Sequence, residues 1–237
     1  MRGESCDELD FDVNGVKGDR SFGVLDLGSG TIVSAKRDGR LLEAASSLAS
    51  GTLRVTLPDG QEYGRGGELD ERLTQWLERP VKLVDATTFG VATFEAPEDF
   101  EHDDSELEQW EGVGGSFVDD SALHVLALSV LDQLSRERPD LQWDVRRFRP
   151  NVVIDDTTSA CGSTPPGLRM RLGEVEIIIL RGCKRCVMTT RSQPQQLDRQ
   201  LDILRHVIRE HDNTVGERAG VVRPGTVHAG DPVVLLG

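Results

Sequence analysis

No stretch of this sequence stays apolar for the ~18–20 residues that a membrane-spanning helix needs. The longest apolar run, residues 175–180, has the length of a buried strand. Nor does an apolar h-region follow Met1, Arg2, Gly3, Glu4 and Ser5, so no secretory signal is expected. Cysteine is scarce and irregularly placed, at Cys6, Cys161, Cys183 and Cys186. That is not the spacing of an extracellular disulfide framework, and the expectation is a cytoplasmic protein with reduced thiols. Positive charge is short as well: 27 Lys and Arg stand against 41 Asp and Glu, a formal net charge of −14. A sequence-independent hold on nucleic acid rests on clustered Lys and Arg neutralising phosphates, so this balance argues against that class of partner. It leaves room for one small basic pocket.

What the chain does contain is a globular composition over 237 residues, 37% hydrophobic and 29% charged, without repeats or low-complexity tracts. The first half alternates strands and turns. Residues 22–28 and 31–35 flank Ser29-Gly30 as a hairpin, and residues 52–57 run into a Pro58-Asp59-Gly60 turn. Leu69, Leu73, Trp76 and Leu77 share one face of a helix that stops before Pro80. Residues 95–115 are crowded with acid and close on Gly112-Val113-Gly114-Gly115, the composition of a solvated loop or linker. The boundary is set there, giving domains 1–115 and 116–237.

The second half reads as a helix capped by Ser121 and carrying Leu123, Leu126, Val130 and Leu134. Strands follow at 151–154 and 174–180. A second helix is spaced by Leu197, Leu201, Leu204 and Ile208, with Pro194 near its start, and the tail reads as strands around a tight turn. The expected fold is α+β and strand-rich, barrel-like rather than a doubly wound sheet.

Two features carry chemistry. Cys183-Lys184-Arg185-Cys186 follows a buried strand. It is readable as half a zinc site, as a redox dithiol, as an inert thiol pair, or as one thiolate serving as a soft ligand to a redox metal. A β-like Val187-Met188-Thr189-Thr190 behind it weighs against the dithiol, and Lys184 and Arg185 favour the charged thiolate. Arg146-Arg147-Phe148-Arg149-Pro150-Asn151 is the local basic patch that the net charge conceals. Arg suits a bidentate grip on phosphate, and Pro150 is expected to hold Arg149 extended, on the same side as Asn151. The plainer reading is a solvated edge.

Arg147-Phe148-Arg149-Pro150-Asn151-Val152-Val153-Ile154 followed by Cys183-Lys184-Arg185-Cys186 resembles the signature of the molybdenum cofactor sulfurase C-terminal (MOSC) domain family. The closing run through Gly220-Val221-Val222, Pro224-Gly225-Thr226-Val227 and Gly230-Asp231-Pro232-Val233 is similar too. Gly15 to Phe22, Ser34-Ala35-Lys36-Arg37 and Leu77-Glu78-Arg79-Pro80-Val81 resemble the β-barrel domain that precedes it in amidoxime-reducing relatives. The resemblance covers essentially the whole chain. It implies a β-barrel domain packed on a barrel-like MOSC domain, holding a molybdenum pterin cofactor. Cys186 would be the metal ligand and catalytic residue, and Lys36, Ser121, Arg149, Asn151 and Arg185 would bind the cofactor, with Cys183 a neighbour. Asp119 and Asp120 beside Ser121 are ill suited to an anion. Pyridoxal phosphate binding is also attached to the family.

The implied activity is reduction of N-hydroxylated or N-oxygenated compounds: two electrons and two protons release the substrate oxygen as water. The alternative is a carrier of the cofactor or of a persulfide on Cys186, without turnover. No C-x4-C-x2-C ferredoxin run is present, so a separate electron-donor protein is expected. The family's first strand and a Lys-containing cofactor segment would precede Met1: either the start is assigned too late, which is the favoured expectation, or a strand and one cofactor anchor are missing from the first domain. His124 reads as a packed helix residue, and Trp76, Trp110 and Trp143 as core or rim.

Overall fold

The computed structural model describes every residue except 50, 119, 157–164 and 237, and is 37% strand against 21% helix. This is the strand-rich α+β class expected. Cys161 and Asp119 lie outside the described residues. The chain forms two compact units. One comprises Met1–Glu4, Gly18–Asp120 and Ser192–Gln196; the other comprises Ser5–Lys17, Ser121–Arg191 and Leu197–Gly237.

The second unit opens with β1 (Glu8–Asp12) and β2 (Gly15–Val16). The chain then builds the first unit through β3 (Phe22–Asp26), β4 (Ile32–Val33), β5 (Ala45–Ala49), β6 (Thr52–Thr56), β7 (Glu62–Gly64), α1 (Gly67–Leu77), β8 (Val81–Asp85), α2 (Ala86–Phe89), β9 (Thr93–Pro97) and β10 (Leu107–Glu111). It returns to the second unit for β11 (Leu123–Ala127), α3 (Leu128–Glu137), α4 (Val145–Phe148), β12 (Val152–Ile154), β13 (Arg169–Leu172) and β14 (Val175–Lys184). There it ends with α5 (Leu201–Glu210), β15 (Thr214–Arg223), β16 (Gly225–His228) and β17 (Val233–Leu236).

In the first unit a five-stranded sheet runs β10-β9-β4-β3-β8 and a three-stranded meander runs β5-β6-β7. The β3–β4 hairpin turns at Ser29-Gly30, where the Gly30 N–H donates to Asp26 O at 2.9 Å. Helix α1 buries Leu69, Leu73 and Leu77, as its spacing predicts, and ends with Glu78 left-handed at φ 54°. The acid-rich stretch departs from the expectation of a loop: β9 and β10 pair antiparallel across it. Strand β9 is buried through Phe94, Glu95 and Ala96, and Glu95, 5% exposed, meets Arg37 Nε at 3.3 Å. Paired inward, that carboxylate is no longer a loop signal.

In the second unit six strands run β12-β11-β15-β14-β13-β17 in one curled half-barrel sheet. Three register shifts between β14 and β15 bend it, as bulges do. Leu123, Val125, Leu172, Val175, Ile177, Ile179 and Ala219 fill its concave core, joined by Phe11 from β1, whose strand pairs with β16. Leu126, Leu131, Leu134, Phe148, Val207 and Val215 form a second cluster that seats α3, α4 and α5.

Several local expectations are corrected here. Residues 123–127 form a strand, so Ser121 caps no helix; α3 begins at Leu128, where Asp156 accepts from Ser129 N at 3.0 Å and Ser129 Oγ at 2.6 Å. The unbroken Leu-His-Val-Leu-Ala run marks a strand buried on both faces, which helical spacing imitates over so short a length. Arg149 is left-handed, φ 53° and ψ 50°, not extended: Asp144 caps the one-turn α4, and Arg149 N closes it on Val145 O at 3.3 Å. Pro150 blocks only a further right-handed turn. Val187–Thr190 is a 3-10 turn rather than β-like, with Thr189 Oγ1 and Thr190 Oγ1 donating to Cys186 O and Val187 O. Helix α5 starts at Leu201 and buries Ile203, Leu204 and Val207, while Ile208 is 43% exposed. Leu197 is buried ahead of it, where Gln200 N donates to Thr190 O.

Candidate functional site

The end of β14 delivers Cys183 and Cys186 into different environments. Cys183, still in the strand, is fully buried, whereas Cys186 precedes the 3-10 turn and is half-buried. Both are free thiols. Arg185 folds inward between them: it is 9% exposed, and its Nη1 donates to Cys183 Sγ at 2.8 Å. Its Nη2 donates to Phe148 O at 2.9 Å, and its guanidinium lies 5.3 Å from the Phe148 ring centroid. Lys184 turns to Asp212 instead, at 3.1 Å. Among the described residues Cys186 Sγ has no hydrogen bond, so of the two sulfurs it is the one unoccupied by the protein. No third ligand joins the pair in a group of three among those residues.

The basic run separates into three roles. Arg146 pairs with Asp144 at 2.7 Å. Arg147 has no exposed surface and gives its guanidinium to the carbonyls of Gln142, Thr189, Arg191 and Asp198, binding the turn after Cys186 to α4. Burial lowers its pKa to about 10, which still leaves it charged at neutral pH. Arg149 stands where α4 ends. Asn151 crosses to β11, its N–H donating to His124 O at 2.8 Å and its Oδ1 accepting from His124 N at 3.0 Å.

His124 lies at the centre of these contacts. It is 2% exposed, with Nε2 3.4 Å from Arg185 Nη1 and its ring bonded to backbone of Arg149 and Val215. Burial, then the cations Arg185 and Arg218, hold its pKa well below the ordinary value. A neutral imidazole therefore sits beside a buried guanidinium without adding a second charge. It is packed as expected, but in a strand.

The structure thus brings Arg149, Asn151 and Arg185 into contact with His124, while Cys186 follows Arg185 in the chain at the start of the 3-10 turn. Ser121 lies in the same unit, ahead of β11, its Oγ buried without a hydrogen-bond partner. Lys36 belongs to the first unit, its Nζ 4.4 Å from the Trp110 ring centroid. Asn213, whose carbonyl accepts from Arg185 N at 2.9 Å, was not singled out by sequence reasoning; its Oδ1 is buried without a partner, as is Arg185 Nε. No motif marks Asn213, since only the turn before β15 brings it to Arg185.

Residues 114–234 match the MOSC domain family. Over 136 residues the chain is 29% identical to mitochondrial amidoxime-reducing component 1 of Mus musculus and 28% identical to that of Homo sapiens. The match covers 52% of this chain but only 38% and 39% of those relatives. Among solved structures, YiiM from Escherichia coli aligns with a TM-score of 0.36 at 22% identity, covering 50% of this chain and 55% of that one. YiiM from Geobacillus stearothermophilus aligns with a TM-score of 0.38 at 15% identity, covering 55% and 67%. Among the described residues no helix is long and apolar enough to cross a membrane.

Proposed function

The chain belongs to the MOSC domain family, and on that premise we propose that it holds a molybdenum pterin cofactor and reduces N-hydroxylated or related N-oxygenated compounds, with electrons from a separate donor protein. The observation that carries this reading is the contrast between the cysteines: Arg185 occupies Cys183, and nothing bonds Cys186 Sγ among the described residues. The names of the mouse and human relatives support the substrate class.

The residues present fit such a group. Arg185 Nε, Asn213 Oδ1 and Ser121 Oγ are buried polar atoms without partners, and unsatisfied buried groups of this kind call for a water or a ligand. They comprise a donor, an acceptor and a hydroxyl, groups suited to a nitrogen-rich heterocycle. Cys186 would give the one protein sulfur to the metal, as a soft donor. Arg149, Asn151 and Arg185 would hold the pterin, and Ser121 would serve its phosphate. When bound, the cofactor supplies two-electron redox chemistry that no side chain offers. The protein contributes orientation and charge: Arg147 fixes the turn behind Cys186, and uncharged His124 lets Arg185 keep its cation in a buried place.

Purified protein should contain stoichiometric molybdenum and pterin and reduce an amidoxime with reduced viologen as donor. Cys186→Ala should lose bound metal and fall to background turnover, whereas Cys183→Ala should keep the metal at reduced stability. Full turnover in Cys186→Ala overturns the assignment. Cyanide-labile sulfur without metal overturns the enzyme reading in favour of a sulfur carrier.

A further inference from the structure

Among the described residues of the whole chain, one group of three His, Cys, Asp or Glu side chains converges its ligand atoms: Glu137, His206 and His211, all in the second unit. Glu137 closes α3, His206 lies on the buried face of α5, and His211 follows that helix. Their ligand atoms all lie within 4.8 Å of one another. Both Nε2 atoms meet the same carboxylate oxygen, Glu137 Oε2, at 2.9 Å from His206 and 2.7 Å from His211.

The surroundings hold this arrangement in place. Gln133 Nε2 donates to the other carboxylate oxygen at 2.7 Å, the outer bond that orients a ligating carboxylate. The His206 ring is 5% exposed, with ring centroids 5.7 Å from Trp143 and 5.5 Å from His211. Its Nδ1 has no hydrogen-bond partner, so the whole polar function of a buried ring is directed through Nε2 at Glu137. Asp140 and Glu210 add negative charge within reach of His206, and the nearby Arg138 and Arg209 are tied to them at 2.6 and 2.5 Å.

Two imidazole nitrogens and one carboxylate oxygen are the donor set of an open tetrahedral zinc site, with the fourth position left to water. Without a cation, both rings must place their protons against a single oxygen. One divalent ion takes the place of the two Nε2 protons, each neutral ring then carrying its proton on Nδ1, and engages all three donors. We propose that Glu137, His206 and His211 bind one divalent transition cation of the zinc class, joining the C-terminal ends of α3 and α5. This site shares no residue with the proposed molybdenum site and stands independently of it.

The test uses the full chain, stripped with chelator and titrated with Zn²⁺ by calorimetry and with Co²⁺ by absorption. One equivalent should bind, and Co²⁺ should give visible ligand-field bands without sulfur-to-cobalt charge transfer. Loss of buried His206 threatens folding, so the more exposed partners are varied, at 31% and 21% side-chain exposure. Glu137→Gln and His211→Ala should each weaken Zn²⁺ by about tenfold or more, the scale reached even by outer-shell changes. At the same Zn²⁺ concentration the unfolding midpoint of the parent protein should rise more than that of His211→Ala. Absence of binding, undiminished binding in both variants, or a cobalt spectrum dominated by sulfur overturns the site.

Discussion

His124 shows how one buried ring couples the site to pH. Its pKa is held well below the ordinary 6.5 by burial first, then by Arg185 and Arg218. The unfolded chain takes up a proton near its ordinary pKa that the folded chain refuses. The stability so contributed is complete above 6.5 and is lost as pH falls from there towards the lower folded-state value. The denaturation midpoint should therefore drop between about pH 7 and about pH 5, and His124→Gln should flatten that slope. An equally steep slope in the variant would assign the dependence to other groups. Glu137 acts in a more acidic range: partial burial works to raise its pKa, but hydrogen bonds from Gln133, His206 and His211 override this and bring it to about 2.

At the scale of an element, β15 contains two glycines with different duties. Gly216 has φ +73°, and a Cβ there would lie 2.5 Å from His124 Nε2 and 2.7 Å from Val125 O. Gly220 has ordinary backbone, and its Cβ would meet Ile178 Cγ2 and Leu180 Cδ1 at 3.8 Å. Gly216→Ala should cost roughly 2 kcal/mol or more, from left-handed strain plus the clash. Gly220→Ala should cost less than about 1 kcal/mol. Chemical denaturation of both variants checks the contrast, and equal losses would refute it.

Elements were legible wherever local pattern and burial agreed. The β3–β4 hairpin, the 58–60 turn and α1 follow from turn residues and one apolar face, because neighbours in sequence decide them. The β9–β10 hairpin was hidden because Glu95 finds Arg37, a partner 58 positions away. The β11 strand was hidden because Leu123, Leu126, Val130 and Leu134 fit a helical stripe as well as a strand running into α3. Of the candidate site, Cys186, Arg149 and Asn151 were singled out by their resemblance to the family motif, since the cysteine spacing alone left several readings open. The inward fold of Arg185 and the place of Asn213 depend on contacts that only the closed sheet creates. The Glu137, His206 and His211 cluster had no local signal at all, since its members approach only when α3 and α5 pack.

For the whole molecule, the second unit is assembled from both ends of the chain. Phe11, 2% exposed, fills the same core cluster as Leu123 and Ile177, although the bulk of that unit begins at Ser121. A fragment of residues 121–237 therefore lacks a core side chain and a strand partner for β16. Expressed alone it should be less stable than the same fragment co-expressed with residues 5–17, by about 3 kcal/mol or more for the missing Phe alone. Denaturant titration of the two preparations measures the difference, and equal stability would make the N-terminal strand dispensable.

The pairing of β1 with β16 also imposes a timetable. Thr226 Oγ1 donates to Asp10 Oδ1 at 2.7 Å across 216 positions, so one partner is synthesised 216 residues after the other. At ~5–20 residues per second, β1 waits on the order of 10–40 s for its neighbour. Throughout that interval Leu9 and Phe11 travel on an open edge. Asp7, Glu8, Asp10 and Asp12 surround them, and charges so placed discourage strand-to-strand association with other nascent chains.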